Sequence, residues 1–280
     1  MADLCLVGYT YRGYEMEHAL QWGGSYGFNG IELRDFNDID LSTPSGVEKA
    51  LKKAVQRARI NSMLLYSLYY APLPISRQAE RVAEERAFLK VITLLGEHHV
   101  PILHTRLSLY QTGEKKEVLS TVALPEDYML VQQALERFLT VAEQAGVYIA
   151  LEAHMGTLHD TSAALLRILA DNPSPWLVAS LDFANLLIAN PSEDLPSAIR
   201  TFGSRIGYTH LKNVKLHPCG YDWNIPLRWG DINYLRVLQT LKEIGYHGPL
   251  AVEYCGTGDP DVFVEDDAEY LQHLVELLEM

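Results

Sequence analysis

Val147-Tyr148-Ile149-Ala150-Leu151-Glu152 is a short apolar run that stops on a carboxylate, and Leu177-Val178-Ala179-Ser180-Leu181-Asp182 repeats the arrangement. Between them, Thr161–Ala170 has helical period. Two buried strands joined through a helix must be parallel, because a tight hairpin cannot join parallel neighbours. Runs that are apolar throughout, rather than alternating, belong to a sheet covered on both faces.

The same unit recurs outward in both directions. Upstream, strands are predicted at Leu4–Gly8, Gly30–Leu33, Ile60–Tyr66 and Pro101–His104. Their helices are predicted at Glu15–Tyr26, Ser45–Ala58 (with Ser45 as N-cap), Gln78–Leu95 and Pro125–Ala145. Downstream of the sixth strand come a helix at Leu195–Phe202, a strand at Ile206–Leu211, a helix at Ile232–Ile244, a strand at Leu250–Glu253 and a closing helix at Val262–Glu279. Strand–helix repetition fits an open doubly wound sheet or a closed barrel. Eight repeats favour the barrel, as does the absence of a GxGxxG or GxxxxGK[ST] turn after the first strand. The expectation is one (β/α)₈ TIM-barrel domain over residues 1–280.

The net charge of -13 disfavours nucleic acid, and the 23 Lys and Arg form no basic patch. Cys5, Cys219 and Cys255 have neither CxxC spacing nor an even number, which fits a reducing, cytoplasmic setting. No secretory leader is evident in the first residues, and no apolar run approaches the ~20 residues of a membrane span.

Four successive strands end on one ionisable residue each: Glu152, Asp182, His210 and Glu253. Any one alone is commonly an N-cap or an ion-pair partner. Three carboxylates meeting at one barrel mouth would repel one another, and a divalent cation resolves that repulsion and accounts for the histidine. Three oxygens and one imidazole suit Mn²⁺, Mg²⁺ or Co²⁺, with Zn²⁺ compatible; a closed structural zinc site would favour thiolates.

The chain resembles the xylose isomerase-like barrel superfamily of sugar phosphate isomerases and epimerases. Ala150-Leu151-Glu152-Ala153-His154, Leu181-Asp182-Phe183 and Thr209-His210-Leu211-Lys212-Asn213 carry the resemblance. So do Gly230-Asp231-Ile232-Asn233-Tyr234, Gly245–Leu250 leading into Val252-Glu253, and Gly27–Leu33. The resemblance implies that Glu152, Asp182, His210 and Glu253 are metal ligands, and that Glu152 and Glu253 pass a proton through a metal-stabilised enediolate. Its implied substrate is a keto sugar, sugar acid or cyclic polyol ketone. Leu151–His154 with Thr157-Leu158-His159-Asp160-Thr161 is also similar to the bacterial 3-dehydroshikimate dehydratases, which implies a lyase as the alternative. Many members carry histidine where this chain has Asn185, which can hydrogen-bond a hydroxyl but cannot shuttle a proton near neutral pH.

Further candidates are His154 as base or substrate contact and Lys212, two positions past His210, as an anion contact. Arg34, beside Glu32, either binds an anion or pairs with Glu32; His104 and Arg106 are similarly placed. Tyr66, Tyr69 and Tyr70 follow the third strand and are candidate pocket walls. Trp223 and Trp229, in the loop Lys215–Gly230, suit a lid or a subunit contact, and a homo-oligomer is left open. An apurinic-site endonuclease shares this barrel but needs further histidines, and a non-catalytic metal-stabilised binding protein is the remaining reading.

Overall fold

The computed structural model describes residues 2–71, 81–109 and 117–280. Eight parallel strands close a barrel: β1 (Leu4–Val7), β2 (Gly30–Leu33), β3 (Leu64–Tyr69), β4 (Ile102–Thr105), β5 (Tyr148–Glu152), β6 (Leu177–Asp182), β7 (Ile206–Leu211) and β10 (Leu250–Val252). β10 lies between β7 and β1 and completes the ring. The outer helices are α1 (Met16–Ser25), α2 (Pro44–Ile60), α3 (Arg81–Glu97), α4 (Pro125–Ala145), α5 (Ser162–Asp171), α6 (Phe183–Ala189), α7 (Leu195–Phe202), α8 (Tyr234–Glu243) and α9 (Pro260–Leu278). Among the described residues no helix is long and apolar enough to cross a membrane.

Local chemistry sets most boundaries. Thr43, rather than Ser45, caps α2: its hydroxyl accepts from Gly46 N, and Pro44 supplies the first helical residue with a preset φ. Thr161, Asn233 and Asp259 cap α5, α8 and α9 in the same way. Gly146, at φ 68°, ends α4 in the left-handed region. The first three residues of the helix expected at Gln78–Leu95 lie outside the described residues.

One strand boundary moves, and two further elements are present. The third strand begins at Leu64, not Ile60, because α2 runs on through Ile60. A short helix, α6, starts directly on Asp182, ahead of the one expected at Leu195. The loop after β7 contains a hairpin, β8 (Lys215–His217) with β9 (Gly220–Asp222).

Two apolar layers form. The larger lies between the sheet and the helices; the smaller fills the barrel interior with Cys5, Val7, Ile102, Ala150, Val178, Tyr208 and Ala251. Above that plug, toward the C-terminal ends of the strands, the interior changes to Glu32, His104, Glu152, Asp182 and His210, all buried. Tyr66 sits below it: its hydroxyl donates to Asp3, and its ring packs so closely on Gly30 that a side chain there would collide. Tyr66 therefore stands at the opposite end of the barrel from the carboxylates, and the expectation that it walls the pocket is corrected.

Candidate metal centre and active site

Strand register aligns the ionisable residues. Asp182 pairs with His210 across β6 and β7, and Ser180 pairs with Glu152 across β5 and β6. Glu253 follows β10 directly and extends the ladder by donating its N–H to Leu211 O. Glu152, Asp182 and His210 each offer one ligand atom, and these atoms lie within 4.8 Å of one another. Glu253 adjoins them, with Oε2 3.6 Å from His210 Nδ1; Glu152 Oε1 is at the same 3.6 Å.

Asp182 divides its two oxygens. Oδ1 accepts from Asn185 N at 2.9 Å as the N-cap of α6, while Oδ2 faces Lys212 Nζ at 2.7 Å. Lys212 Nζ also donates to Glu253 Oε2 at 2.8 Å, and Arg34 Nη1 donates to Glu253 Oε1 at 3.0 Å. Glu253 is thus clamped between two cations. Arg34 pairs with Glu253 and Asp35, not with Glu32 as expected, and its guanidinium lies 3.8 Å over the Tyr69 ring.

The charges are strongly perturbed. Burial pushes the Glu253 carboxyl up, but Lys212, His210 and Arg34 outweigh it and hold it well below the usual range. Burial likewise acts on Glu152, where His154, His210 and His104 together outweigh it and lower it. Burial, opposed by Lys212 but reinforced by Glu152 and Glu253, raises Asp182. Burial lowers Lys212 and His210, but the surrounding carboxylates more than reverse this and raise both well above their ordinary values. Perturbed groups converging in a cleft mark a candidate functional site.

The pocket above this cluster has a volume of about 310 Å³. Glu152, Glu253, Lys212, Asn185, His154, Arg106, Arg34 and Trp223 line it, joined by Tyr9, Met155 and Cys255, which no strand-end pattern marked in the sequence. Asn185 Nδ2 donates to Glu152 Oε1 at 3.3 Å. His154 Nδ1 donates to Met155 O at 2.7 Å, and Arg106 Nη1 stands 3.2 Å from Nε2. Burial, with Arg106 and Lys212 adding to it, lowers the His154 imidazole to about 4, so it is neutral at pH 7. Arg106 has no acidic partner among the described residues, and its buried Nε makes no hydrogen bond.

Other candidates fall outside the pocket lining. His104 is fully buried beneath it, with Nδ1 3.0 Å from Glu32 Oε2 and Nε2 3.8 Å from Glu152 Oε2, so it is corrected from a substrate contact to a residue of the floor. Tyr70 packs on Phe88 in the core, and Trp229 is 68% exposed. Lys212 Nζ lies 5.2 Å from the Trp223 ring, so of the two tryptophans only Trp223 reaches the cluster.

Two motifs have structural roles. His159 Nε2 accepts from Leu107 N at 3.1 Å and ties the loop after β5 to the loop after β4; burial lowers this imidazole to about 4. The Asn213 side chain gathers the long loop: Nδ2 donates to Leu227 O and Ile232 O, and Oδ1 accepts from Val214 N and Ile232 N. Gly230 packs where any side chain would strike Asn213.

The donor set fits a divalent cation. Glu152 Oε2 and His210 Nδ1 are buried without a hydrogen-bond partner among the described residues, and oxygen-rich coordination with one imidazole suits a hard or borderline ion. These buried groups could hold a metal ion.

The family model that matches residues 20–278 describes the xylose isomerase-like TIM barrel. The chain belongs to that family. A mannonate dehydratase of Shouchella clausii is 30% identical over 128 residues, which is 42% of this chain and 36% of that protein. The chain spans less than half the length of the curated relatives it matches. Among solved structures, the probable 3-DHS dehydratase AsbF of Bacillus anthracis superposes with a TM-score of 0.77 at 16% identity, covering 96% of this chain and 98% of that one. An L-ribulose 3-epimerase also gives 0.77, at 17% identity, covering 100% and 96%. A xylose isomerase-like barrel of Mycobacterium smegmatis in complex with magnesium gives 0.75 at 17% identity, covering 99% and 98%. At such identities these superpositions establish the fold alone.

Proposed function

We propose that the chain is a divalent-metal-dependent isomerase or epimerase that moves a proton next to the carbonyl of a keto sugar or sugar acid. The observation that carries this reading is the pair of buried glutamates, Glu152 and Glu253, each 3.6 Å from His210 Nδ1 and both lining one pocket. Glu152, Asp182, His210 and Glu253 would hold the ion. When bound, it supplies the positive charge that stabilises an oxyanion developing on the substrate carbonyl.

The remaining work belongs to the side chains. Glu152, whose Oε2 has no partner, takes the proton from the carbon beside the carbonyl, and Asn185 fixes its other oxygen. On the far side Glu253, loaded with a proton from solvent, returns it to the carbon, and Lys212 and Arg34 set its position. Arg106, with no acidic partner among the described residues, is suited to a carboxylate or other anionic group of the substrate.

A dehydratase reading is favoured by one arrangement. Glu253 is clamped by two cations, which makes it a weak base, whereas His154 is a neutral imidazole whose Nδ1–H is already committed to Met155 O. A single imidazole base beside Arg106 suits removal of a proton next to a carbonyl, followed by loss of a β-hydroxyl. The similarity to a mannonate dehydratase and to AsbF supports this reading, and that to an L-ribulose 3-epimerase supports the first.

Incubation of Mn²⁺-loaded protein in D₂O with a panel of ketoses, sugar acids and cyclic hydroxyketones separates the two. The isomerase reading gives a product isomer carrying deuterium at the exchanged carbon by ¹H NMR, without a new ultraviolet band. A conjugated product absorbing in the ultraviolet overturns it in favour of the lyase. No exchange and no product across the panel contradicts both.

A further inference from the structure

We infer that Glu32 is a positioning residue for His210: it accepts the Nε2 proton of that imidazole and so aims Nδ1 at the cation site. The inference rests on reading that cluster as a cation site, and deepens it by one layer.

Glu32 comes from β2, on a different part of the barrel wall from β7, and is fully buried. Its Oε2 lies 3.4 Å from His210 Nε2, 3.0 Å from Ser67 Oγ and 3.0 Å from His104 Nδ1. The other nitrogen of His210, Nδ1, looks the opposite way, toward Glu152 and Glu253, and makes no hydrogen bond. The ring is therefore held from one side and open on the other.

The proton polarity is fixed by what lies behind Glu32. Ser67 Oγ contacts both Glu32 Oε2 and the Tyr208 hydroxyl, the latter at 2.9 Å, and the Cys5 thiol lies 3.7 Å from that hydroxyl. Ser67 has one proton, and a carboxylate can only accept. Ser67 therefore donates to Glu32, Tyr208 donates to Ser67, and the thiol donates to Tyr208 or to Leu6 O. Every hydroxyl proton in this buried chain runs toward Glu32. A carboxylate that terminates such a chain leaves His210 Nε2 only the donor role.

A metal-ligating histidine commonly donates its other ring N–H to a carboxylate, and removing that partner lowers metal affinity about 10–100-fold. The T-shaped contact of His104 with His210, ring centroids 4.3 Å apart, fixes the imidazole plane from a second direction. The sequence hid this role because Glu32 lies 178 positions from His210, and its only visible neighbour was Arg34.

Chelator-stripped wild-type protein and Glu32→Gln are titrated with Mn²⁺ by calorimetry. The His210 ring nitrogens are read by ¹H–¹⁵N correlation in the Mg²⁺-loaded proteins. The expected result is one ion per chain in both, affinity about 10–100-fold weaker in Glu32→Gln, and a wild-type His210 protonated at Nε2. A purely structural role for Glu32 would lower the melting temperature while leaving affinity and the His210 signal unchanged, and that outcome overturns the inference. Two ions per wild-type chain, one of them lost in Glu32→Gln, also overturns it, since Glu32, His104 and His210 would then be ligands themselves. No uptake by wild type sinks the cation site and the inference together. Should Glu32→Gln fail to fold, Ser67→Ala removes one donor to the same oxygen; a smaller loss of affinity is expected, and an unchanged one overturns the proposal.

Discussion

The ammonium of Lys212 lies 2.7 Å from Oδ2 of Asp182, inside the carboxylate cluster rather than above it. Asp182 ends β6 and Lys212 directly follows the neighbouring β7, and Glu253 shares the same ammonium at 2.8 Å. Four buried carboxylates, counting Glu32, need positive charge, and without a metal this lysine supplies much of it.

Lys212→Met removes that charge without removing the packed side chain. Breaking a buried pair from one side costs about 3–5 kcal/mol, so chelated Lys212→Met should unfold well below chelated wild type in urea. Mn²⁺ should recover more stability in the variant than in wild type, because a ligand bound only by the folded state stabilises it. Equal denaturation midpoints in the chelated proteins would contradict the counter-charge role.

Asn213 holds the loop that carries Trp223 through four hydrogen bonds to backbone. Asn213→Ala leaves buried backbone groups unpaired at about 1–3 kcal/mol each. The expected result is a lower urea midpoint and a red-shifted tryptophan emission; an unchanged midpoint would show that the hairpin loop is anchored elsewhere.

Asp267 on α9 accepts from Leu227 N at 2.6 Å and supports the same loop. Burial, with Asp266 adding to it, raises this carboxyl from 3.8 to about 8. Between those values the folded chain keeps a proton that the unfolded chain has released, so this contribution to stability is full below about pH 4 and lost as pH rises through about 8. The melting temperature should therefore fall on this account between about pH 4 and 8, and Asp267→Asn should flatten the fall. Parallel profiles for the two proteins would contradict the assignment.

His154 decides between the two chemical readings. Its imidazole, lowered to about 4 by burial and the neighbouring cations, is deprotonated across the neutral range, so an acid limb arising from it belongs near pH 4 rather than 6.5. His154→Asn should reduce turnover about 10²–10⁴-fold if the imidazole is the base of a lyase. It should leave a two-glutamate epimerase largely active. A retained dehydration rate in the variant would exclude His154 as that base.

The barrel and the convergence of Glu152, Asp182 and His210 were readable because each depends on one strand's own pattern: an apolar run and the residue that ends it. What the sequence could not show depends on pairs far apart. Arg34 looked like a partner for its near neighbour Glu32, yet register carries it to Glu253. The third strand was placed early because Ile60 is apolar and follows a helical stretch, although it is the last residue of α2 and largely exposed. Tyr66 seemed to end that strand near the mouth; with the strand starting at Leu64, the same tyrosine falls at the bottom of the barrel. His104 ends an apolar run much as the assigned ligands do, and only the three-dimensional stacking puts it beneath them.

The central claim is that Glu152, Asp182, His210 and Glu253 share one divalent cation, and calorimetric titration of chelator-stripped protein with Mn²⁺ tests it most directly. The account predicts one ion per chain for wild type, and at least tenfold weaker uptake for Asp182→Asn and for Glu253→Gln with the fold retained. Absence of uptake by wild type, or equal affinity in all three proteins, would contradict it.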